Sequence, residues 1–207
     1  MADIALTPNT ALAGLSSRGR HGRSEGPPGL TICERDHLTL VNVVARKGQA
    51  SALAALVRNA YGIELPTSPR VVGGPMPDGR SLSFIWAGPD QWLAYAEATS
   101  DLENELAMAL GKRAMIVEQS DGRCVLRISG PKARELLAKG FAVDLDPRVF
   151  RAGDVALTMA AHMGVQIWQT DETPSYEIAM FRSLAGSFWS WLTASAAEFG
   201  YAVVEER

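Results

Sequence analysis

The sequence predicts an α+β protein built from two ferredoxin-like β-α-β-β-α-β units. Three observations carry that prediction. Short runs rich in β-branched residues alternate with amphipathic helical stretches. The order of these elements in the first half returns in the second, with one extra strand. The punctuation returns as well. Gly-Ile-Glu-Leu-Pro (62–66) and Gly-Phe-Ala-Val-Asp-Leu-Asp-Pro (140–147) each follow the first helix of a half, and Gly111 or Gly200 precedes each closing strand. The expected division is an N-terminal arm over residues 1–35, flexible or bound to a partner, a first unit over 36–119 and a second over 120–207.

Taken in order, residues 14–29 (GLSSRGRHGRSEGPPG) offer no periodic apolar face and cannot fold by burial alone. A disordered tail fits this composition. So does an arm along a partner subunit, with Arg18, Arg20, His21 and Arg23 as its charge contacts. LTLVNVVAR (38–46) reads as a strand. In GQASALAALVRNAYG, Leu53, Leu56, Val57, Ala60 and Tyr61 fall on one helical face, and Gly62 stands where a left-handed cap belongs. PTSPRVVGGPMPDGR reads as a loop. SLSFIWA and QWLAYAE are strands about the turn Gly88-Pro89-Asp90. A helix opens at Ser100 with Glu103 at capping-box spacing, carries Leu102, Leu106 and Leu110, and ends at Gly111. AMIVEQ is the next strand.

The second half opens with CVLRIS, which places Cys124, Leu126 and Ile128 on one strand face. GPKARELLAKG is a helix with Pro131 at its first position and Gly140 at its end. DVALTMAAH, GVQIWQT and SYEIAMF are strands, and YAVVE closes the chain's order. In the last helix Leu184, Phe188, Trp191, Leu192 and Phe199 share a side. Trp189 lies about 140° from Leu184, at 3.6 residues per turn. An off-stripe tryptophan beside Phe188 points to a second buried surface. A neighbouring element of the same chain and a partner subunit both satisfy it.

Composition excludes several classes. The chain has 207 residues, 47% of them apolar, and 20 basic against 23 acidic residues, a net charge of −3. That balance, without aromatics interleaved among basic clusters, argues against nucleic acid. No apolar run is long enough for a membrane-spanning helix, and the first residues lack a secretory pattern. Two cysteines, Cys33 and Cys124, make no disulfide framework, so a reducing cytoplasm is expected.

Motifs that invite chemistry read as scaffold. Ser120-Asp121-Gly122 lies between strands and has turn chemistry, and none of His21, His37 and His162 has a context that aims it at Ser120. Ser129-Gly130-Pro131 opens a helix, but Pro131 removes an amide that an anion would need. GPMPDGRS (74–81) has the spacing of a phosphate loop, yet a strand follows it, and Pro75 and Pro77 lack the required amides. The histidines and cysteines match no zinc pattern. Cys124 reads as a buried thiol and His162 as a turn or packing residue. The residues alone therefore name no catalytic, cofactor-binding or metal-binding position.

Four stretches resemble the gamma subunit of heterotetrameric sarcosine oxidase: PNTALAGLSSRGRHG, FIWAGPDQWLAYAE (84–97), VEQSDGRCVLRISGPKARELLAKGFAVDLDP (117–147) and AHMGVQIWQTDETPSYEIAMFRSLAGSFWSWL (161–192). More distantly, residues 117–204 are similar to the first part of the folate-binding aminomethyltransferase fold. There an Asp-x-Ser…Ser-Gly-Pro run precedes a helix, and here Glu118 or Gln119 stands at the first of those positions. The resemblance implies membership of an assembly that oxidises sarcosine to glycine, with alpha, beta and delta subunits as partners. It implies FAD, FMN, NAD, tetrahydrofolate and zinc in those partners and no cofactor in this chain. It leaves two roles open: a non-catalytic subunit that braces the others, and a folate- or pterin-binding module at the junction of the halves.

Overall fold

The computed structural model describes residues 9–76, 78–97 and 101–205. The chain begins with two strands, β1 (Gly19–His21) and β2 (Leu30–Glu34). Then follow β3 (Leu38–Ala45), α1 (Ala50–Tyr61), β4 (Val71–Pro75), β5 (Ser81–Gly88), β6 (Gln91–Glu97), α2 (Leu102–Leu110) and β7 (Ala114–Glu118). The second half supplies β8 (Arg123–Ser129), α3 (Ala133–Leu137), β9 (Val155–Ala160), β10 (Met163–Asp171), β11 (Ser175–Phe181), α4 (Ala185–Ala196) and β12 (Tyr201–Val204).

The α+β class holds. A five-stranded sheet runs β4-β5-β6-β3-β7, and a seven-stranded sheet runs β1-β12-β2-β8-β11-β10-β9. Each sheet has an apolar face on its own helices. Leu53 and Val57 of α1 and Leu102, Leu106 and Leu110 of α2 pack with Val41, Val43, Phe84 and Trp92. On the larger sheet, Leu136 of α3 and Phe188 and Leu192 of α4 pack with Ile32, Leu126, Ile128, Ile167 and Ile178. The opposite faces meet each other through Leu38, Leu40, Ile85 and Leu93 on one side and Val125, Val155, Trp168 and Ala179 on the other. Strand alternation is the cause, since odd and even residues of β3 or β8 must face different layers. The result is helices, sheet, sheet, helices.

Local signals held where they were strong. Gly62 caps α1 at φ 68°, its N–H donating to Arg58 O. The β9–β10 hairpin turns on Ala161 and His162, both at positive φ, so His162 is a turn residue. The expected start of α2 at Ser100 lies outside the described residues, as do Pro77 and residues 1–8 of the arm.

Four expectations are corrected. Residues 30–34, read as arm, form an interior strand that is parallel to β12 and antiparallel to β8. Leu30 and Ile32 drive this by facing the core. Residues 71–75, read as loop, pair with β5 as an edge strand. α3 is shorter than expected and starts at Ala133, after Pro131. Gly140 is a packing glycine, because a Cβ there would lie 2.4 Å from Cζ2 of Trp191.

Candidate functional site

A cluster of buried charge lies where β2 leaves the larger sheet and leads to β3. Arg35 is fixed by its own backbone, whose N–H donates to Val125 O at 2.9 Å. Its guanidinium, 1% exposed, donates to Glu177 Oε1 and to Glu97 Oε1, both at 2.7 Å. Glu177 is 2% exposed. It sits opposite Arg127 across β8 and β11, and Arg127 adds bonds of 2.6 and 3.1 Å to the same oxygen. Burial, then the Glu177 charge, pushes the neighbouring Tyr95 hydroxyl above its ordinary pKa. Tyr95 in turn packs on Trp168, with ring centroids 5.9 Å apart. This buried cluster ties β2, β6, β8 and β11, and so both sheets, together. Sequence reasoning missed it. Its carboxylate and guanidinium are 142 residues apart in the chain, and no local pattern connects them.

The chain's first described residues cover one side of this cluster. Leu12 is fully buried in the same core cluster as Trp189, and its N–H donates to Glu34 Oε1 at 3.2 Å. Leu15 reaches to α4 at Gly186. Arg182 donates to the carbonyls of Asn9 and Thr10. Trp189 is therefore 8% exposed, beneath the chain's own N-terminal segment, whereas the stripe residue Trp191 is only half-buried. A cavity of about 480 Å³ remains here. Trp189, Arg18, Glu34, His37, Glu97 and Glu205 are among its lining residues.

The other predicted contact residues lie along the sheet edge. His21 of β1 pairs with Tyr201, on which its ring stacks at 5.2 Å, and its Nε2 is 2.8 Å from Ser17 O. Arg20 donates to the carbonyls of Arg23 and Gly26, and Arg18 pairs with Glu205. The Arg23 N–H donates to Ala197 O at 2.8 Å. Arg18, Arg20 and Arg23 are exposed. The structure thus joins Arg18 and Trp189 at one cavity and leaves Arg20, His21 and Arg23 on the β1 edge.

The suspected chemical motifs serve the backbone. Ser120 Oγ accepts the Leu40 N–H at 2.9 Å, within a short 3-10 turn. Gly74 and Pro75 end β4 and pair with β5, which Ser81 opens, and Arg80 between them pairs with Asp78 and Glu105. Gly130 has φ 117°, and a Cβ there would lie 2.6 Å from Gly29 O. Burial pushes the Cys124 thiol up to about 12, which makes it unreactive near neutrality. Among the described residues, no group of three or more His, Cys, Asp or Glu is placed to hold a metal ion. No described helix is long and apolar enough to cross a membrane.

Comparison with known proteins gives this geometry a context. The family described as "Sarcosine oxidase, gamma subunit family" matches residues 46–198. The sarcosine oxidase subunit gamma of Corynebacterium sp. (strain P-1) is 31% identical over 177 residues, covering 85% of this chain and 85% of that one. A solved heterotetrameric sarcosine oxidase from Corynebacterium sp. U-96, in complex with pyrrole 2-carboxylate, includes a chain that superposes with a TM-score of 0.78 at 28% identity. The match covers 93% of this chain and 96% of that one. The glycine cleavage system aminomethyltransferase T of Bartonella henselae shares the fold, with a TM-score of 0.61 at 14% identity over 86% of this chain and 48% of its own.

Proposed function

The chain belongs to the sarcosine oxidase gamma subunit family, and from that premise we propose that it is the non-catalytic gamma subunit of a sarcosine oxidase assembly. The observation that carries this is the match, over nearly all of both chains, to a chain of a heterotetrameric sarcosine oxidase. In this reading the alpha, beta and delta subunits are its partners. They carry FAD, FMN, NAD, tetrahydrofolate and zinc and oxidise sarcosine to glycine in the cytoplasm, while this chain braces them. The ion cluster of Arg35, Glu177, Arg127 and Glu97 suits a brace, because Arg35 bridges Glu177 of the larger sheet and Glu97 of the smaller one. Arg18, Arg20, His21 and Arg23 serve as contacts along the β1 edge, and Trp189 through the cavity it lines. The division into ferredoxin-like units at 36–119 and 120–207 belongs to the same proposal. The order β5-β6-β3-β7 supports it in the first unit; in the second, β2 stands between β12 and β8.

A folate or pterin at the centre of the junction does not fit the residues there. Leu40, Ile85, Leu93, Val125, Trp168 and Ala179 fill that space as a packed core. The bracing role is tested by expressing the other subunits with and without this chain. The expected result is loss of assembly and turnover in its absence. Normal assembly and sarcosine oxidation without it would refute the role.

A further inference from the structure

The two sheets do not cover each other completely. Beyond the packed centre, a groove of about 460 Å³ opens between them. Leu157 and Met159 share the face of Val155 on the edge strand β9, yet they are 51% and 46% exposed. Phe181 shares the face of Ala179 and is 54% exposed. Across the groove lie Asn42 and Val44 of β3. Their register neighbours on β7, Val117 and Met115, continue the same face and are also exposed. Three of the nine exposed large apolar side chains among the described residues thus line this one opening and two more continue its face on β7, where single scattered ones are the norm.

One charge lines the groove. Arg123 stands opposite Phe181 across β8 and β11, with its guanidinium carbon 4.5 Å from the ring centroid. Its Nε is buried and donates to no acceptor among the described residues. No described carboxylate lines the groove or pairs with this guanidinium. Burial pushes the Arg123 pKa down, and no neighbouring charge offsets it. A half-buried cation without a counter-ion, set in an exposed apolar rim, is an incomplete interaction.

We propose that this groove seats a segment of another subunit, one whose apolar side chains surround a single carboxylate that pairs with Arg123. The inference rests on the reading of the chain as a subunit of a larger assembly. Charge complementarity selects the occupant. A second copy bound about a two-fold axis through the groove would set the two Arg123 guanidinia against each other. A small free carboxylate would satisfy Arg123 but leave Met115, Val117, Leu157 and Met159 in water.

The test uses the co-expressed full assembly. Arg123→Glu and Leu157→Ser are each expected to weaken incorporation of this chain by about tenfold or more, as loss of an interface anchor does. Arg123→Lys should fall between them and the wild type, because it keeps charge but loses the guanidinium fork. Thermal melts of the isolated variants report folding. A benzophenone side chain at position 157 gives a second readout that does not depend on them. On irradiation it should cross-link to a peptide of another subunit that contains Asp, Glu or a terminal carboxylate. Unchanged incorporation of folded variants would overturn the proposal. So would a cross-link to a second copy, a cross-linked peptide without a carboxylate, or no cross-link in an assembly that forms. If the wild-type chain joins no assembly at all, the subunit reading itself falls.

Discussion

Replacing Glu177 by Gln removes one charge from the interior and almost no volume. Glu177 Oε1 accepts from Arg35 at 2.7 Å and from Arg127 at 2.6 and 3.1 Å. Hydrogen bonds to charged groups contribute about 1.5–3 kcal/mol each, but these three share one acceptor oxygen and do not add. Removing one partner of a buried ion pair costs about 3–5 kcal/mol, because the other charge stays desolvated. Arg35 keeps Glu97, whose carboxylate is 59% exposed and screened by water. The expected loss is therefore at the low end, about 3 kcal/mol. At roughly 2–4 °C per kcal/mol for a chain of this size, the melting temperature should fall by about 6–12 °C. Urea unfolding followed by tryptophan fluorescence, with calorimetry beside it, measures both quantities. Replacing both Arg35 and Glu177 with Leu should recover much of the loss, since an apolar pair needs no counter-charge. A loss below about 1 kcal/mol for Glu177→Gln would show that water or a rearranged neighbour solvates Arg35, and would refute this account of the cluster.

Gly140→Ala should cost about 1–3 kcal/mol and alter tryptophan emission, because the new methyl meets the Trp191 ring. Gly130→Ala should cost about 1–3 kcal/mol through its positive φ and the Gly29 carbonyl, as read by urea midpoint. Leu12→Ala should cost about 2–4 kcal/mol and red-shift the Trp189 emission, since Leu12 is buried in the same core cluster and lines the same cavity as that ring. Cys124, held up to about 12, should resist a thiol reagent at pH 8 until urea unfolds the chain. The same shift works against stability at high pH. Above the ordinary thiol value the unfolded state loses its proton first, so this contribution declines as pH rises towards 12. Hydrogen-exchange or calorimetric stability at pH 8 and pH 11 in wild type and Cys124→Ala separates it, with the steeper decline expected in the wild type.

The sequence by itself determined the elements whose cause lies within a few residues. α2 buries the three leucines its spacing named, α1 buries Leu53 and Val57 of its named face while Leu56 and Tyr61 are half-buried and Ala60 is exposed, and Gly62 caps where its freedom at positive φ is needed. Alternation along β8 put Cys124, Leu126 and Ile128 on one face before any partner was known, and all three lie in one core cluster. Ser120 and His162 proved to be backbone residues of turns, as their neighbours implied.

Tertiary structure alone decided which strand lies beside which. β2 came from a stretch adjoining glycines, prolines and arginines that looked unstructured. It joins the larger sheet because β12 and β8 leave backbone donors and acceptors for it, and because Leu30 and Ile32 complete the core. Leu12 and Trp189 meet in one core cluster from distant parts of the chain, and the Arg35–Glu177 pair spans 142 residues. Arg123 and Phe181 meet only through the β8–β11 register. Periodicity is a property of one segment and can be read from it. Pairing depends on which surfaces the rest of the chain leaves open, and that is fixed only when all of it has folded.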